Sequence, residues 1–265
     1  MSKTPDMHTK PPKPPSWALT LLEPPRTLAE KIKLQLSLPF LNSLPRGDGH
    51  PVMVIPGFAG DDRYNLPLIK FLRRQEFYAV GWNRGRNLGH GLLKPDILVE
   101  RVNKLYNQTG KSVSLIGHSL GGVYAREIAK LWPHEVRQVI SIGSPFGGGR
   151  ATASRANILY KMLSPHKGVD DDNHWPEAPP VPTTAIYSRS DGIINWRIAL
   201  QSHGHPKTEN IEVYGCHNAM TVNAAVWYVI NDRLTQAEEN WQPFAREGLE
   251  TCVYPRPKWK ACNQY

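Results

Sequence analysis

Residues 117–121 read Gly117-His118-Ser119-Leu120-Gly121, the spacing that a nucleophilic serine requires. A serine on a tight strand-to-helix turn is held in a strained backbone conformation, with its hydroxyl turned out over the sheet edge. Gly117 and Gly121 flank it where the chain doubles back, and a Cβ at either position would crowd the neighbouring strand and helix. A serine hydroxyl is a weak nucleophile at its ordinary pKa. It needs a base within hydrogen-bond reach and a third group to orient that base. Where the nucleophile sits on such a turn, those partners follow in the order Ser, Asp or Glu, His. The sequence offers that order at three strand ends: Ser119, Asp191 in Ser188-Arg189-Ser190-Asp191-Gly192, and His217 in Gly215-Cys216-His217-Asn218.

Ten histidines compete for the role of base. His8 lies in a polar tail, His134 follows a helix, and His174 falls in an irregular insert. His118 sits inside the turn and points away from Ser119. His90 lies in a loop at the same sheet edge, and position alone does not exclude it. His203 and His205 form a His-x-His without an obvious third ligand, so no metal is expected there. His217 alone directly follows a strand and precedes a helix late in the chain, which makes it the candidate base. Asp191 is the candidate orienting acid, although Ser-Asp-Gly is also ordinary turn chemistry. Asp61, Asp62 and Asp96 precede the serine and break the order. The developing oxyanion calls for two backbone N–H donors. Leu120 supplies one and the loop after the first strand the other, at Phe58 in preference to Ala59.

The elements that must place these residues alternate along the chain. Residues 51–55 form an apolar run without alternation, as in a strand buried on both faces. Helix 66–74 and strand 77–82 follow, then a glycine-rich loop at 83–91 and a helix capped by Asp96. The serine motif comes next, between strand 112–116 and a helix, followed by strands at 136–142, 183–187 and 211–214 and a last helix at 224–234. Such alternation predicts a mostly parallel central sheet, crossed right-handedly and covered by helices on both faces. Ligands bind such a sheet beyond the carboxyl ends of its strands. Ser119, Phe58 and Ser144 all fall at that edge. Between 146 and 180 the pattern breaks, which predicts an inserted cap or lid. Its acidic run at 170–172 lacks the glycine and spacing of a calcium loop.

At either end the chain changes character. Residues 1–15 are rich in proline and lysine and predict a disordered tail. Residues 16–49 predict a helical extension, with one apolar turn stopped by Pro24-Pro25 and a helix starting at Thr27 and ending before Pro39. The main domain spans 50–234, and 235–265 form a loop-like extension anchored by Trp241, Phe244 and Trp259. The formal charge is +9 and the pI about 9.5. Basic ends suit solvated tails or peripheral contact with an anionic membrane surface. No nucleic-acid signature accompanies the charge. Three cysteines are too few for a disulfide scaffold, and whether Cys252 and Cys262 pair stays open. Without a signal-like or membrane-spanning run, the expected location is cytoplasmic.

Together Pro56-Gly57-Phe58, Gly117-His118-Ser119-Leu120-Gly121-Gly122, Ser188-Arg189-Ser190-Asp191-Gly192 and His217 resemble a bacterial α/β-hydrolase of the lipase/esterase group, over roughly 50–234. The resemblance implies hydrolysis of a carboxylic ester, small or lipid, through an acyl-enzyme on Ser119 and without a cofactor. An acyltransferase or an amidase would use the same residues, and a non-catalytic module could keep the fold. Cys216 and Asn218 beside the histidine, and Pro-Gly-Phe in the first loop, depart from the common lipase pattern and leave acyl-chain preference open.

Overall fold

The computed structural model describes residues 12–89, 95–147, 153–156, 176–201, 205–245, 247 and 250–255. The tail up to residue 11, His90, most of the 146–180 insert with its acidic run and His174, His203, and 256–265 lie outside the described residues.

Six strands, β1 (Pro51–Ile55), β2 (Tyr78–Gly81), β3 (Val113–His118), β4 (Val136–Ile142), β5 (Thr183–Tyr187) and β6 (Thr208–Glu212), form one sheet in the order β2-β1-β3-β4-β5-β6. Every neighbouring pair is parallel. The chain runs outward from β1 to β2, returns to β3 on the other side of β1, and then proceeds outward again. This reversal opens a crevice beyond the carboxyl ends of β1 and β3.

Because successive side chains of a strand point to opposite faces, β1 feeds two cores. Val52 and Val54 pack with α2 (Glu23–Asn42), α3 (Asp62–Arg74) and α6 (Ala224–Thr235), whereas Met53 and Ile55 pack with α4 (Pro95–Thr109) and α5 (Leu120–Leu131). On the first face Phe71 stacks on Trp227 with ring centroids 4.7 Å apart, both buried. Truncating such a ring to alanine typically costs about 3–5 kcal/mol. Phe244 joins the same core with Tyr254.

The ends of several elements differ from expectation. A short helix α1 (Trp17–Leu21) starts at Ser16, whose side chain accepts from the Leu19 N–H. α2 then begins at Glu23, not after Thr27, with Pro24 and Pro25 in its first turn. Proline is well placed there because the first helical N–H groups have no partner in the helix. The Thr27 hydroxyl donates to the Glu23 carbonyl instead of capping. The helix also runs through Pro39 and seats Leu34 and Leu41 in the core. α3 starts at Asp62 behind the cap Asp61 and contains Pro67, and β6 spans 208–212 rather than 211–214, leaving Tyr214 exposed. Residues 250–253 form a short α7.

Candidate active site

Ser119 stands between β3 and α5 with φ 51° and ψ −122°, a left-handed conformation that a residue with a Cβ avoids. Holding it there costs on the order of 1–3 kcal/mol. The surroundings leave no alternative path. A Cβ on Gly117 would lie 2.2 Å from the Gly121 carbonyl oxygen, and one on Gly121 would lie 2.3 Å from that of Ile55. The Ser119 N–H donates to the Ile142 carbonyl at 2.8 Å, tying the turn to the end of β4.

The residue after Ile142 is Gly143, at φ +55°. A Cβ there would come within 3.3 Å of His217 Nδ1 and 3.4 Å of Asp191 Oδ2. The end of β4 therefore touches the serine turn on one side and the acid and base on the other. Asp191 follows β5, and its Oδ1 accepts from the Ile193 and Ile194 N–H groups at 2.8 and 2.7 Å. Its Oδ2 lies 2.6 Å from His217 Nδ1. With Nδ1 engaged there, Nε2 is the nitrogen left to act as a base. Both side chains are almost wholly buried, at 3 and 4% exposure. Burial alone would lower the His217 pKa. The Asp191 charge and hydrogen bond, with a further contribution from Glu23, outweigh it and raise the value above the ordinary one.

The loop after β1 passes directly over the serine. A Cβ on Gly57 would sit 3.1 Å from Ser119 Cβ. In this loop the Ala59 N–H donates to the Asn87 carbonyl at 2.6 Å, which argues against Ala59 as an oxyanion donor. Asn87 also donates through Nδ2 to the Pro56 carbonyl at 2.8 Å and through its N–H to Gly60, and it is fully buried. It thus fastens the loop carrying Phe58 to the glycine-rich loop after β2. Leu120, the other expected donor, is the first residue of α5.

Two residues at the site, Glu23 and Arg26, carry no signal in the sequence. Glu23, in the first turn of α2, is 2% exposed. Its Oε1 accepts from the N–H groups of Gly192 and His217 at 2.8 and 2.9 Å, and its Oε2 from Asn218 at 2.9 Å. One carboxylate therefore joins the loop of the acid to the loop of the base. Arg26, one turn on, donates to the Ser190 carbonyl and hydroxyl at 2.7 and 2.8 Å. His118 points away from Ser119 by the alternation of β3, yet its ring packs against that of His217 with centroids 4.9 Å apart. Its Nε2 lies 3.0 Å from the His217 carbonyl, and burial followed by the His217 charge pulls its pKa down to about 3, so it stays neutral.

A second serine, histidine and aspartate meet at the opposite edge of the sheet. His50 Nε2 lies 2.9 Å from Ser114 Oγ, and its Nδ1 bonds Asp48, which also pairs with Arg137 at 2.9 Å. Ser114 is fully buried inside β3, in register with Val52 on one side and Gln138 on the other. Its backbone is used by the sheet and no turn presents its hydroxyl, so this group is structural. Among the described residues no cluster of three or more His, Cys, Asp or Glu could hold a metal ion.

Residues 74–168 match the family described as PGAP1-like alpha/beta domain, a stretch that includes Ser119 but ends before Asp191 and His217. Among solved structures the chain is similar to lipase B of Aspergillus fumigatus, with TM-score 0.54, 18% identity, and 73% of this chain and 54% of that one covered. It is also similar to mouse alpha/beta hydrolase domain-containing protein 10, with TM-score 0.53, 15% identity and 71 and 88% coverage. The chain has the α/β-hydrolase fold. A curated relative, putative GPI inositol-deacylase C of Yarrowia lipolytica, is 32% identical over 142 residues. That match covers 44% of this chain, and the chain spans only 17% of the relative's length. The relative is a yeast protein, so the bacterial part of the resemblance finds no support in it.

Proposed function

We propose that the protein is a serine hydrolase that cleaves a carboxylic ester of a lipid. The observation that carries this reading is the buried Asp191–His217 pair, 2.6 Å apart, together with a serine held at positive φ on the turn after β3, both set against the end of β4. His217 takes the proton of Ser119 as the hydroxyl attacks the ester carbonyl, and Asp191 fixes the imidazole and stabilises its charged form. The tetrahedral oxyanion is received by the N–H groups of Phe58 and Leu120. His217 then passes the proton to the departing alkoxide, and water activated by the same ring releases the acid. The relative's printed name fits this chemistry, since an acylated inositol is itself a carboxylic ester. A chain-length series of esters tests the reading. Wild-type protein should hydrolyse at least one member and Ser119→Ala none, and equal turnover by both would overturn it.

A further inference from the structure

The inner face of α2 holds the loops of the candidate acid and base, but its outer face is also apolar. Leu28, Ile32, Leu36 and Phe40 follow at four-residue spacing, one per turn, over about 18 Å of helix. They are 62, 55, 78 and 59% exposed. Leu21, just ahead of the helix, is 74% exposed. Solvated helices place polar residues on such a face, and a continuous apolar line this open marks a contact surface. The exposed charges that flank it are lysines. Lys31 and Lys33 flank the line on either side and are exposed. Of the two acids of the helix, Glu23 turns inward onto the His217 loop, whereas Glu30 bonds Asn223 through Oε2 at 2.9 Å and pairs with Lys33 through Oε1 at 3.1 Å.

We propose that the outer face of α2 seats the protein on an anionic phospholipid bilayer. An apolar stripe between lysines is the pattern of a helix that lies in the plane of a lipid interface, with its lysine stems reaching along the apolar surface to the headgroups. A second copy fits less well, because a symmetric pairing of this face would oppose lysine to lysine. Among the described residues no helix is long and apolar enough to cross a membrane, so this contact is peripheral. The helix begins at the rim of the site and leads away from it, so seating α2 brings that rim to the lipid surface. The inference deepens the reading above and rests on it only for the substrate being a lipid ester.

The test is co-sedimentation of the full chain with phosphatidylcholine vesicles, with and without phosphatidylserine, alongside turnover of a soluble short-chain ester. Wild type and Ser119→Ala should bind the anionic vesicles alike. Lys31→Gln should weaken that binding about fivefold, Lys33→Gln less because Glu30 already pairs with Lys33, and Ile32→Glu/Leu36→Glu at least about fiftyfold. Ile32→Gln/Leu36→Gln, milder at the same exposed positions, guards against misfolding and should fall between. Absent binding, equal binding without phosphatidylserine, or binding indifferent to the apolar substitutions would overturn the proposal. So would a wild-type dimer that the double substitution dissociates. Vesicle binding by a protein that turns over no ester would leave the docking surface standing and remove the hydrolase reading instead.

Discussion

Replacing Glu23 should damage both stability and the candidate site, by amounts set by three hydrogen bonds. Glu23→Ala strips the acceptor from the N–H groups of Gly192, His217 and Asn218, the first two fully buried. An unmet buried donor costs about 1–3 kcal/mol, and water entering the vacated space recovers part of that, so we expect a loss of about 3 kcal/mol. Glu23→Gln keeps one oxygen, which can serve Gly192 and His217, but turns an amide NH2 toward the Asn218 N–H. It should lose about half as much. Because the lost bonds position the base and the neighbour of the acid, kcat/KM should fall about 100-fold in Glu23→Ala, as expected for a displacement near 1 Å. Both variants also remove a charge that helps raise the His217 pKa. His217 must be neutral to accept a proton, so the acid limb of kcat/KM should lie above the ordinary histidine value in wild type and move to lower pH in both variants. Asp191 and the neutral His118 also face this ring, so the shift should be partial. Urea unfolding and a pH series of ester turnover measure these effects. A Glu23→Ala protein with unchanged midpoint, rate and acid limb would refute the clamp.

Other consequences follow from the same geometry. Gly143→Ala places a methyl group against Met220 and His217 at a positive φ; it should cost about 1–3 kcal/mol and depress kcat more than KM in steady-state assays. Asp191→Asn should lower kcat by about four orders of magnitude with little change in the fold by circular dichroism, because the wrong tautomer of His217 is then favoured. His50 and His118 both have pKa values lowered by burial first, and then by the Arg137 and His217 charges respectively. The unfolded chain therefore takes up protons that the folded one refuses once pH falls below about 6.5, the ordinary histidine value. Stability from these two is full above that pH and declines below it, toward about 3 for His118. His217, raised, contributes in the opposite sense and loses its part as pH rises through its folded value. Urea midpoints across this range should fall on the acid side, and His118→Asn should flatten the fall.

Much of the fold was legible because its signals are local. The apolar run of β1 and the glycines that flank Ser119 each act within a few residues. The spacing of Ser119, Asp191 and His217 could be read because each follows a strand, and a parallel sheet brings strand ends to one edge. Proline at 24–25 and at 39 signals a stop, but a first helical turn tolerates it, and packing of Leu34 and Leu41 carries α2 past Pro39. The start of β6 is hidden in the sequence because Thr208-Glu209-Asn210 are polar, although they pair in register with Thr183-Thr184-Ala185 at the edge of the sheet. Glu23 was invisible for a different reason. A glutamate before two prolines reads as an ordinary first-turn acid, and its partners lie 169 to 195 residues away along the chain. The outer stripe of α2 was present in the sequence, but only the inner placement of Leu34 and Leu41 shows which of its two apolar faces is exposed.

The central claim is that Ser119 is made reactive by His217 and Asp191. Its most direct measurement is the intact mass of the protein after exposure to a fluorophosphonate, followed by mapping of the modified peptide. One adduct on Ser119, absent in Ser119→Ala and strongly slowed in His217→Ala, is the result predicted. An adduct on another residue such as Ser114, or none on a folded wild-type protein, would contradict it.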